Sequence, residues 1–408
     1  MRILVVNKFL YNNGGSETYI FNLFNYSSKQ GNEIEYFGME HQKNIVGNRL
    51  NQYIGNMDFK GNVLKKVLYP LKVIYSIEAK MKIRKVIKDF KPDVIHINNF
   101  NYQVTPSILY EIKKFNIPVI QTLHDPQLVC PYHRLYNYKK KEICEKCKDG
   151  RFSSCILTKC IDDSIFKSMI GAAESYIYRK LNTYEMINYF ISPSRFLKGK
   201  MIDMNTNINH NKILVLHNFI SENDVENHQN KKDYVLYFGR LSIEKGIHRL
   251  IEACKRLTEI KFVFAGGGEL ENDLIGVKNI KFVGFKTGEE LKTLISEALF
   301  SIYPSEWYEN CPMSILESQM YGTPVIGADI GGIPELIDDK IDGYLFKSGD
   351  VDDLTDKIIS LYKDKDKREE FSLRCKEKVK KFSIDLYYPK LMEIYDKAIN
   401  ELKSKEVF

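Results

Sequence analysis

Two short segments carry the side chains best suited to chemistry on a charged, hydroxylated ligand. Arg240 and Lys245 lie between an apolar, strand-like run and a helix-like run. Two cations at such a strand end can converge on one diphosphate, Arg through two N–H groups and Lys as a point charge. Glu309 and Glu317 follow another apolar run, and their carboxylates can hold hydroxyl groups on two rings of one ligand. The alternatives are plain surface charges and capping or solvated helix acids.

A helix should present the second of these glutamates. Pro312 suits the first turn of a helix because its missing N–H is not needed there, and Gly322 suits the end of that helix. Glu317 then lies within the helix and Glu309 on the loop before it. We expect both at the carboxyl end of the preceding strand.

The first half of the chain offers a glycine pair and a histidine in similar positions. Gly14 and Gly15 follow the first apolar run and open a helical segment, where free N–H groups favour an anion. A simple tight turn is an equal alternative. His124 follows the strand-like run Val119–Leu123; a lone histidine there is often structural, but its place in the same half as the glycine pair favours a function.

Short apolar runs alternate with helical stretches along the whole chain, which indicates parallel βαβ units. Strands are expected at Ile3–Val6, Glu33–Phe37, Asp93–Ile97, Pro118–Leu123, Met186–Ile191, Tyr234–Phe238, Lys261–Ala265, Lys281–Val283, Phe300–Tyr303 and Pro324–Gly327. The pattern stops at a polar stretch without periodicity and then restarts. It predicts an α/β chain with a domain at 1–220, a linker at 221–233, a second doubly wound domain at 234–385 and a C-terminal helix at 386–408. That helix is expected to pack back on the N-terminal domain, and ligands are expected at the carboxyl ends of the strands, in the crevice between the domains.

Composition narrows the class of protein. The chain has 408 residues, 44% of them hydrophobic and 28% charged, which is typical of a globular protein with sizeable cores. No apolar run approaches the ~20 residues that span a bilayer, and the N-terminal run is too short for a signal-peptide core. We therefore expect a cytoplasmic protein whose eight cysteines are reduced or metal-bound rather than paired.

The net charge of +7 is concentrated between residues 60 and 91. This segment holds ten basic residues against two acids, Glu78 and Asp89, with apolar residues at the spacing of an amphipathic helix broken near Pro70. A solvated helix face and a platform for anionic lipid headgroups are the two interpretations that stay open. Nucleic acid is not expected as a partner, because no aromatic-basic or helix-turn-helix motif accompanies the charge.

A cysteine-bearing insertion is expected at about 126–162. Its Cys144, Cys147, Cys155 and Cys160 are spaced in a way that fits a tetrahedral structural zinc, with Cys130 as a possible substitute ligand. Plain reduced thiols are an equal alternative. Because the insertion follows His124, we expect it to cover the acceptor side of the crevice.

A catalytic metal is not expected. Asp350 and Asp352 have the Asp-x-Asp spelling of a metal site, but they begin a helix after a loop, where Asp commonly caps. A serine hydrolase is also disfavoured, since no Gly-x-Ser-x-Gly segment occurs.

Taken together, these motifs resemble one known family over nearly the whole chain: family 4 of the glycosyltransferases with the GT-B fold. The resemblance rests on the order of the glycine pair, the Arg240–Lys245 pair and the two glutamates. It also rests on three further segments, which are Ala265-Gly266-Gly267-Gly268, Gly284-Phe285 and Gly331-Gly332-Ile333-Pro334-Glu335. The resemblance implies two Rossmann-like domains facing each other across a cleft. It also implies retaining, metal-independent transfer of a sugar from a nucleoside-diphosphate sugar.

Roles for individual residues follow from the resemblance. It places Gly14 and Gly15 by the donor phosphates and sugar, Arg240 and Lys245 on the diphosphate, and Glu317 on the ribose. Glu309 would hold the donor sugar, with the backbone N–H groups of the donor-binding segment Asn310, Cys311, Pro312 and Met313 beside it. Gly239 and Gly284 would border the donor, and His124 matches the family's active-site histidine. Asn310-Cys311-Pro312 replaces the more usual Gly-Phe-Gly, which leaves the donor sugar open.

The function expected from the sequence is a bacterial hexosyltransferase of capsule, O-antigen or exopolysaccharide biosynthesis. The donor is expected to be a UDP-sugar and the acceptor a saccharide or polyprenyl-linked saccharide. The enzyme would be cytoplasmic and peripheral on the inner face of the membrane. A nucleotide-sugar isomerase or epimerase on the same fold, and a non-catalytic nucleotide-sugar-binding partner, are the alternatives.

Overall fold

The protein forms two compact units in its computed structural model, which describes residues 1–55, 72–221 and 231–406. The first unit contains the described residues of Met1–Leu135, Cys144–Leu216 and Tyr387–Phe408. The second contains Tyr136–Ile143 and the described residues of His217–Leu386. Most of the predicted linker (222–230) and part of the basic segment (60–71) lie outside the described residues.

Six parallel strands form the sheet of the first unit, in the order β2-β1-β3-β4-β7-β8. They are β1 (Arg2–Val6), β2 (Glu33–Phe37), β3 (Val94–Ile97), β4 (Val119–Thr122), β7 (Tyr189–Ser192) and β8 (Ile213–Val215). Strand β1 pairs with β2 on one side and with β3 on the other. The strand order of this parallel sheet therefore reverses between β1 and β3. Both faces of β1, β3, β4 and β7 are buried, as expected of strands covered by helices on each side.

The helices of the first unit cover that sheet. They are α1 (Gly15–Lys29), α2 (Ile77–Phe90), α3 (Ile108–Ile112), α4 (Ser153–Leu157), α5 (Ile165–Lys180) and α6 (Arg195–Asp203). Ser76, Ser164 and Ser194 cap α2, α5 and α6, each accepting a hydrogen bond from the N–H three residues on. Among the described residues, no helix is both long and apolar enough to cross a lipid bilayer.

The second unit repeats the architecture with the order β11-β10-β9-β12-β13-β14. Its strands are β9 (Val235–Phe238), β10 (Phe262–Ala265), β11 (Ile280–Phe282), β12 (Phe300–Tyr303), β13 (Val325–Ala328) and β14 (Gly343–Phe346). Its helices are α7 (Ile247–Arg256), α8 (Gly288–Glu297), α9 (Met313–Met320), α10 (Val351–Lys363) and α11 (Lys365–Val379). The strand order reverses between β9 and β12, which is where a doubly wound sheet binds its ligand.

Two segments belong to a different unit from the residues that precede them in the chain. The hairpin of β5 (Tyr136–Asn137) and β6 (Glu142–Ile143) belongs to the second unit, although its flanks belong to the first. The last helix, α12 (Ile384–Glu406), belongs to the first unit from Tyr387 onward. There the Tyr395 hydroxyl hydrogen-bonds the buried His96 ring on β3.

The strands predicted from apolar runs agree with the structure to within one or two residues at most ends. Helix α3 is short, because Thr105 has a φ of +70° before it and the α-helix gives way to a 3-10 turn at Lys113–Phe115. Pro312 is the cap of α9 rather than a member of its first turn. Gly322 follows that helix in the left-handed conformation, as a helix-ending glycine should.

Candidate active site

The loops after β9 and β12 meet at the point where the strand order of the second unit reverses. The first loop carries Gly239, Arg240 and Lys245, and the second carries Glu309. Backbone hydrogen bonding joins the two loops, with the Glu306 N–H donating to the Glu244 carbonyl at 2.9 Å. Residues that lie far apart in sequence are thereby placed in one cluster.

Lys245 and Glu309 form the centre of this cluster. The Lys245 Nζ lies 2.5 Å from Glu309 Oε1 and 3.0 Å from the Tyr303 hydroxyl. The two side chains are 17% and 8% exposed, so the ion pair is largely shielded from water. Water screening is weak in such a place, so the pair interacts more strongly than a surface salt bridge.

Two further donors hold the same carboxylate oxygen. Glu309 Oε1 accepts hydrogen bonds from Ser305 Oγ at 2.7 Å and from Trp307 Nε1 at 2.5 Å. The Lys245 ammonium also lies 5.3 Å from the centroids of both the Tyr303 and the Trp307 rings. The aromatic rings and the carboxylate together fix the position of one cation.

Glycine is required on both sides of this pair. Gly246 has a φ of +70°, and a Cβ there would lie 1.9 Å from the Pro304 carbonyl oxygen. Gly331 has a φ of +64°, and a Cβ there would lie 2.4 Å from the Glu309 carbonyl oxygen. The next N–H, of Gly332, donates to that same oxygen at 2.7 Å. The Gly331-Gly332 motif therefore supports the backbone of Glu309.

Arg240 lies apart from the buried pair. Its side chain is 56% exposed, and its guanidinium is 4.0 Å from the buried carboxylate of Glu244. The structure thus offers one buried cation at Lys245 and one exposed cation at Arg240 on the same loop.

The predicted donor-binding backbone lies at neighbouring strand ends. Gly239 follows β9, and the Gly239 N–H donates to the Ala265 carbonyl at the end of β10. Gly284 follows β11, and its carbonyl accepts from the Gly266 N–H at 2.9 Å. These glycines form a continuous edge of backbone beside Arg240.

Asn310 to Met313 connect Glu309 to α9, which begins at Met313. The Cys311 carbonyl accepts a hydrogen bond from Asn218 Nδ2 at 2.8 Å, and burial raises the pKa of the Cys311 thiol to about 12. One turn further on, burial raises the pKa of the Glu317 carboxyl to about 7. A carboxyl whose pKa is raised by desolvation in this way is typical of a ligand-binding position.

His124 follows β4, at the carboxyl edge of the sheet of the first unit. Its Nε2 lies 2.8 Å from Asn98 Oδ1, and its ring packs edge-on against Tyr19 with centroids 5.1 Å apart. Desolvation lowers the pKa of His124 to about 3, so the imidazole is neutral at physiological pH. It can accept or donate a hydrogen bond there, but it does not carry a spare proton.

Gly14 and Gly15 begin α1 close to that strand edge. Both are exposed, and Gly14 takes the cap position with extended backbone and no side-chain cap. The buried Glu17 lies in the first turn, where its Oε1 accepts a hydrogen bond from Asn7 Nδ2 at 3.1 Å. Burial raises the pKa of Glu17, which weakens the repulsion that an ionised carboxylate would exert on an anion at this helix end.

The cysteines of the insertion differ from the prediction. Cys155 and Cys160 form a disulfide, so the expectation that all eight cysteines are unpaired was wrong for this pair. The short helix α4 brings their Cα atoms to 5.3 Å, within bridging distance. Two of the four predicted zinc ligands are thereby used, and within the described ranges no three His, Cys, Asp or Glu side chains gather as a metal site. The residues as arranged do not fit a zinc held by Cys144, Cys147, Cys155 and Cys160.

The Asp-x-Asp segment takes the structural role predicted for it. Asp350 caps α10, and its carboxylate accepts a hydrogen bond from the Asp353 N–H at 3.1 Å. The Asp352 side chain is exposed and pairs with Arg256 at 2.5 Å. Both carboxylates are engaged in helix contacts.

Several residues around the candidate site were missed by sequence reasoning. They are Asn98, Glu244, Tyr303, Ser305 and Trp307. All five lie at or just beyond the end of a parallel strand, which is the one signal that could have found them.

Family models match both halves of the chain. Residues 13–154 match the model described as Glycosyltransferase Family 4, and residues 219–378 match the one described as Glycosyl transferases group 1. Together with the two parallel sheets described above, these matches define the class of protein. The chain belongs to the family 4 glycosyltransferases and has the GT-B fold.

Individual similar proteins are distant. The sulfoquinovosyl transferase SQD2 of Arabidopsis thaliana is 25% identical over 347 residues, which are 83% of this chain and 63% of that protein. The amylovoran biosynthesis glycosyltransferase AmsK of Erwinia amylovora is 29% identical over 180 residues, 40% of this chain and 44% of that one. The crystal structure of Anabaena Alr3699/HepE in complex with UDP superposes with a TM-score of 0.67 at 16% identity, covering 99% of this chain and all of that chain. This chain thus spans less than two thirds of either relative's length, and the structural match supports the fold.

Proposed function

We propose that this glycosyltransferase is a retaining, metal-independent hexosyltransferase that uses a nucleoside-diphosphate sugar, with UDP as the nucleotide. Its acceptor is a saccharide or lipid-linked saccharide in the assembly of a bacterial surface polysaccharide. The observation that carries the proposal is the buried Lys245–Glu309 pair at the reversal point of the second sheet. Support also comes from the UDP bound by Alr3699/HepE and from the role of AmsK in amylovoran biosynthesis.

Cleavage of a glycosyl–phosphate bond leaves negative charge on the departing diphosphate. A fixed cation beside that charge stabilises the transition state more than the ground state, and so it accelerates the reaction. Lys245 is held by Glu309 and by two aromatic rings before any ligand binds, so little reorganisation is needed. Arg240 is exposed and would close on the same diphosphate from the solvent side.

The carboxylates would then hold hydroxyl groups. Glu309 is the last residue before the Asn310–Met313 segment and has a second carboxylate oxygen to offer the donor sugar. Glu317 would accept hydrogen bonds from the ribose, which would compensate for the desolvation of its carboxyl. In the first unit, the neutral His124 would bind a sugar hydroxyl rather than transfer a proton.

A donor panel tests the proposal directly. Thermal unfolding is measured with UDP-, GDP- and dTDP-sugars, and a donor at 100 times its dissociation constant should stabilise the protein by about 2.7 kcal/mol. The anomeric configuration of the product, read by NMR, tests retention. Product formed from the donor without any acceptor would favour an isomerase, and stabilisation without turnover would favour a binding partner.

Donor affinity should depend on pH through Glu317. The ribose hydroxyls need an ionised carboxylate, and a pKa of about 7 leaves this carboxyl mostly protonated at pH 6 and mostly ionised at pH 8. The dissociation constant for the donor should therefore be roughly tenfold larger at pH 6 than at pH 8, as measured by calorimetry. Glu317→Gln should bind weakly at both pH values.

The folding stability of the unliganded protein should show the opposite pH trend to the donor affinity, and it serves as the control. The pKa of Glu317 is raised in the folded state, so its contribution to stability is present at low pH and is lost as the pH rises through about 7. A wild-type affinity that does not change between pH 6 and pH 8 would contradict the role given to Glu317.

Catalysis should survive removal of divalent cations. Asp350 and Asp352 are engaged in helix contacts, so their Asp-x-Asp segment is not placed to hold a catalytic metal. Overnight EDTA should leave the turnover rate within about twofold of the untreated enzyme if the cation at Lys245 serves the leaving group. Collapse of activity, with recovery on adding Mg²⁺ or Mn²⁺ alone, would count against metal independence.

A further inference from the structure

Helix α5 (Ile165–Lys180) exposes large apolar side chains and buries small and polar ones, which is the reverse of an ordinary surface helix. Its buried face consists of small and polar residues, namely Ser168, Gly171, Ala172, Glu174 and Ser175, together with Tyr178. Its outward face carries large apolar side chains, which are Ile165, Phe166, Met169, Tyr176 and Ile177, followed by Leu181 just after the helix. Their exposed fractions run from 37% at Ile177 to 59% at Leu181.

The inner face is fixed by close packing and hydrogen bonds. A Cβ on Gly171 would lie 2.5 Å from Ile161 Cδ1, so a larger residue would fit only if that side chain moved. Glu174 accepts a hydrogen bond from Asn101 Nδ2 at 3.1 Å, and burial raises its pKa to about 7. The helix cannot simply rotate to bury its apolar side, because that would expose the small residues and leave Asn101 without this partner.

A surface helix normally turns its apolar stripe toward the core. At 100° per residue, the six outward apolar residues fall within one arc of about 160° and run the length of a helix about 24 Å long. An apolar surface of this extent on a soluble protein marks a place where something else binds. We name this row of six residues the α5 face.

The charges around the α5 face favour one kind of partner. The charged side chains that α5 exposes, Lys167 and Lys180, are both basic; Arg179 is half-buried, and the one acid, Glu174, is buried. The two acids of the preceding turn, Asp162 and Asp163, are exposed, and Asp162 pairs with Lys167 at 2.7 Å. Exposed apolar residues with basic neighbours are typical of helices that lie in the interface of an anionic bilayer.

A second copy of this chain would fit the α5 face less well. Lys180 projects from within the apolar arc, so a protein partner would bury its ammonium group without an acid from α5 of the other copy. At a membrane, the four-carbon stem of Lys180 can lie among the acyl chains while its ammonium reaches the headgroups.

We propose that the α5 face is a membrane-docking surface that inserts its apolar side chains into the interface of an anionic bilayer. The inference deepens the proposed function, because it supplies the surface through which the enzyme reaches a lipid-linked acceptor. The α5 face would bind the membrane by a different mechanism from the basic segment 60–91. That segment would contribute long-range attraction, whereas the α5 face would contribute apolar burial, which salt does not screen.

Flotation with phosphatidylcholine vesicles, with and without phosphatidylglycerol, tests the surface. The variant Phe166→Gln, Met169→Gln, Ile177→Gln removes three apolar side chains that face solvent, and should weaken binding to the anionic vesicles by roughly 100-fold. Its matched control is Ile275→Gln, Ile341→Gln, Leu373→Gln, which changes three exposed apolar residues of the second unit. The control should float like the wild type.

A charge variant separates the two contributions. Replacing Lys65, Lys66, Lys72, Lys82 and Lys85 with Gln should weaken binding at low salt but leave the residual binding at high salt unchanged. The α5 variant should lose that residual binding. Equal flotation of the α5 variant and the wild type, or no flotation of the wild type, would overturn the proposal. So would a wild-type dimer, seen by light scattering, that the α5 variant abolishes while neither protein floats.

Stabilisation by a UDP-sugar is measured on the same proteins. It should be unchanged in the α5 variant, because α5 carries none of the residues assigned to the donor, neither Gly14, Gly15 and His124 in the first unit nor those of the second unit. Vesicle binding without stabilisation by any donor would leave the docking surface in place and count against the proposed donor. Stabilisation by a donor without vesicle binding would support the proposed donor and count against the docking surface.

Discussion

Lys245→Ala is expected to lower kcat by about 100-fold or more, since it would remove the buried cation that we propose lies beside the departing diphosphate. The same change removes the buried counter-charge of Glu309, so the melting temperature should also fall. Steady-state kinetics with the preferred donor measure the first effect, and thermal unfolding measures the second. Assays run well below the variant's melting temperature keep the two effects apart.

Arg240→Ala gives a useful contrast with Lys245→Ala. Arg240 is exposed and its only ion-pair contact recorded among the described residues is the 4.0 Å approach to Glu244, so its loss should leave stability nearly unchanged. If Arg240 closes on the diphosphate, kcat should still fall by about 100-fold. Lys255→Ala, an exposed lysine on α7, is the matched control and should behave as the wild type. Wild-type turnover in both the Lys245 and the Arg240 variants would contradict the leaving-group role.

The sequence was sufficient to predict where the site residues lie along the fold. Alternating apolar runs report strands buried on both faces, and the ends of those strands fixed the places of Arg240, Lys245, Glu309 and His124. The caps of the helices were also predictable, because Asp350 and Gly322 act through local backbone geometry.

The contacts that complete the site were not predictable in the same way. Ser305 and Trp307 both bind Glu309 Oε1, yet nothing in their sequence spacing says which atom they reach. Gly331 supports Glu309 across a sequence gap of more than twenty residues, and only the close approach of the two backbones explains why glycine is needed. Long-range convergence of this kind is a property of the packed loops and not of any local pattern.

Two other features of the structure could not be predicted from the sequence, for different physical reasons. The spacing of the cysteines gave no sign that α4 would bring Cys155 and Cys160 within bridging distance. The apolar periodicity of α5 is that of any amphipathic helix, and periodicity alone does not say which face turns inward. The small residues on its other face, Gly171 among them, decide the orientation.

Glu309→Gln is expected to lower kcat/KM by about 100-fold with a smaller effect on stability. The amide oxygen of Gln can still accept hydrogen bonds from Ser305 and Trp307, so the loop should keep its conformation. The substitution removes the charge that positions the Lys245 ammonium and a carboxylate that would hold the donor sugar. The matched control is Glu252→Gln on α7, which removes an exposed carboxylate paired with Arg256 and should leave kinetics unchanged.

A double variant shows whether the two residues act as one unit. If Glu309 works chiefly by fixing Lys245, the losses in Lys245→Ala and Glu309→Gln overlap, and the double variant should be little worse than Lys245→Ala alone. If Glu309 also binds the donor sugar independently, the losses multiply, and KM for the donor rises further in the double variant. Wild-type kcat/KM in Glu309→Gln would contradict both roles, and it would leave the buried pair as a purely structural contact between the loops after β9 and β12.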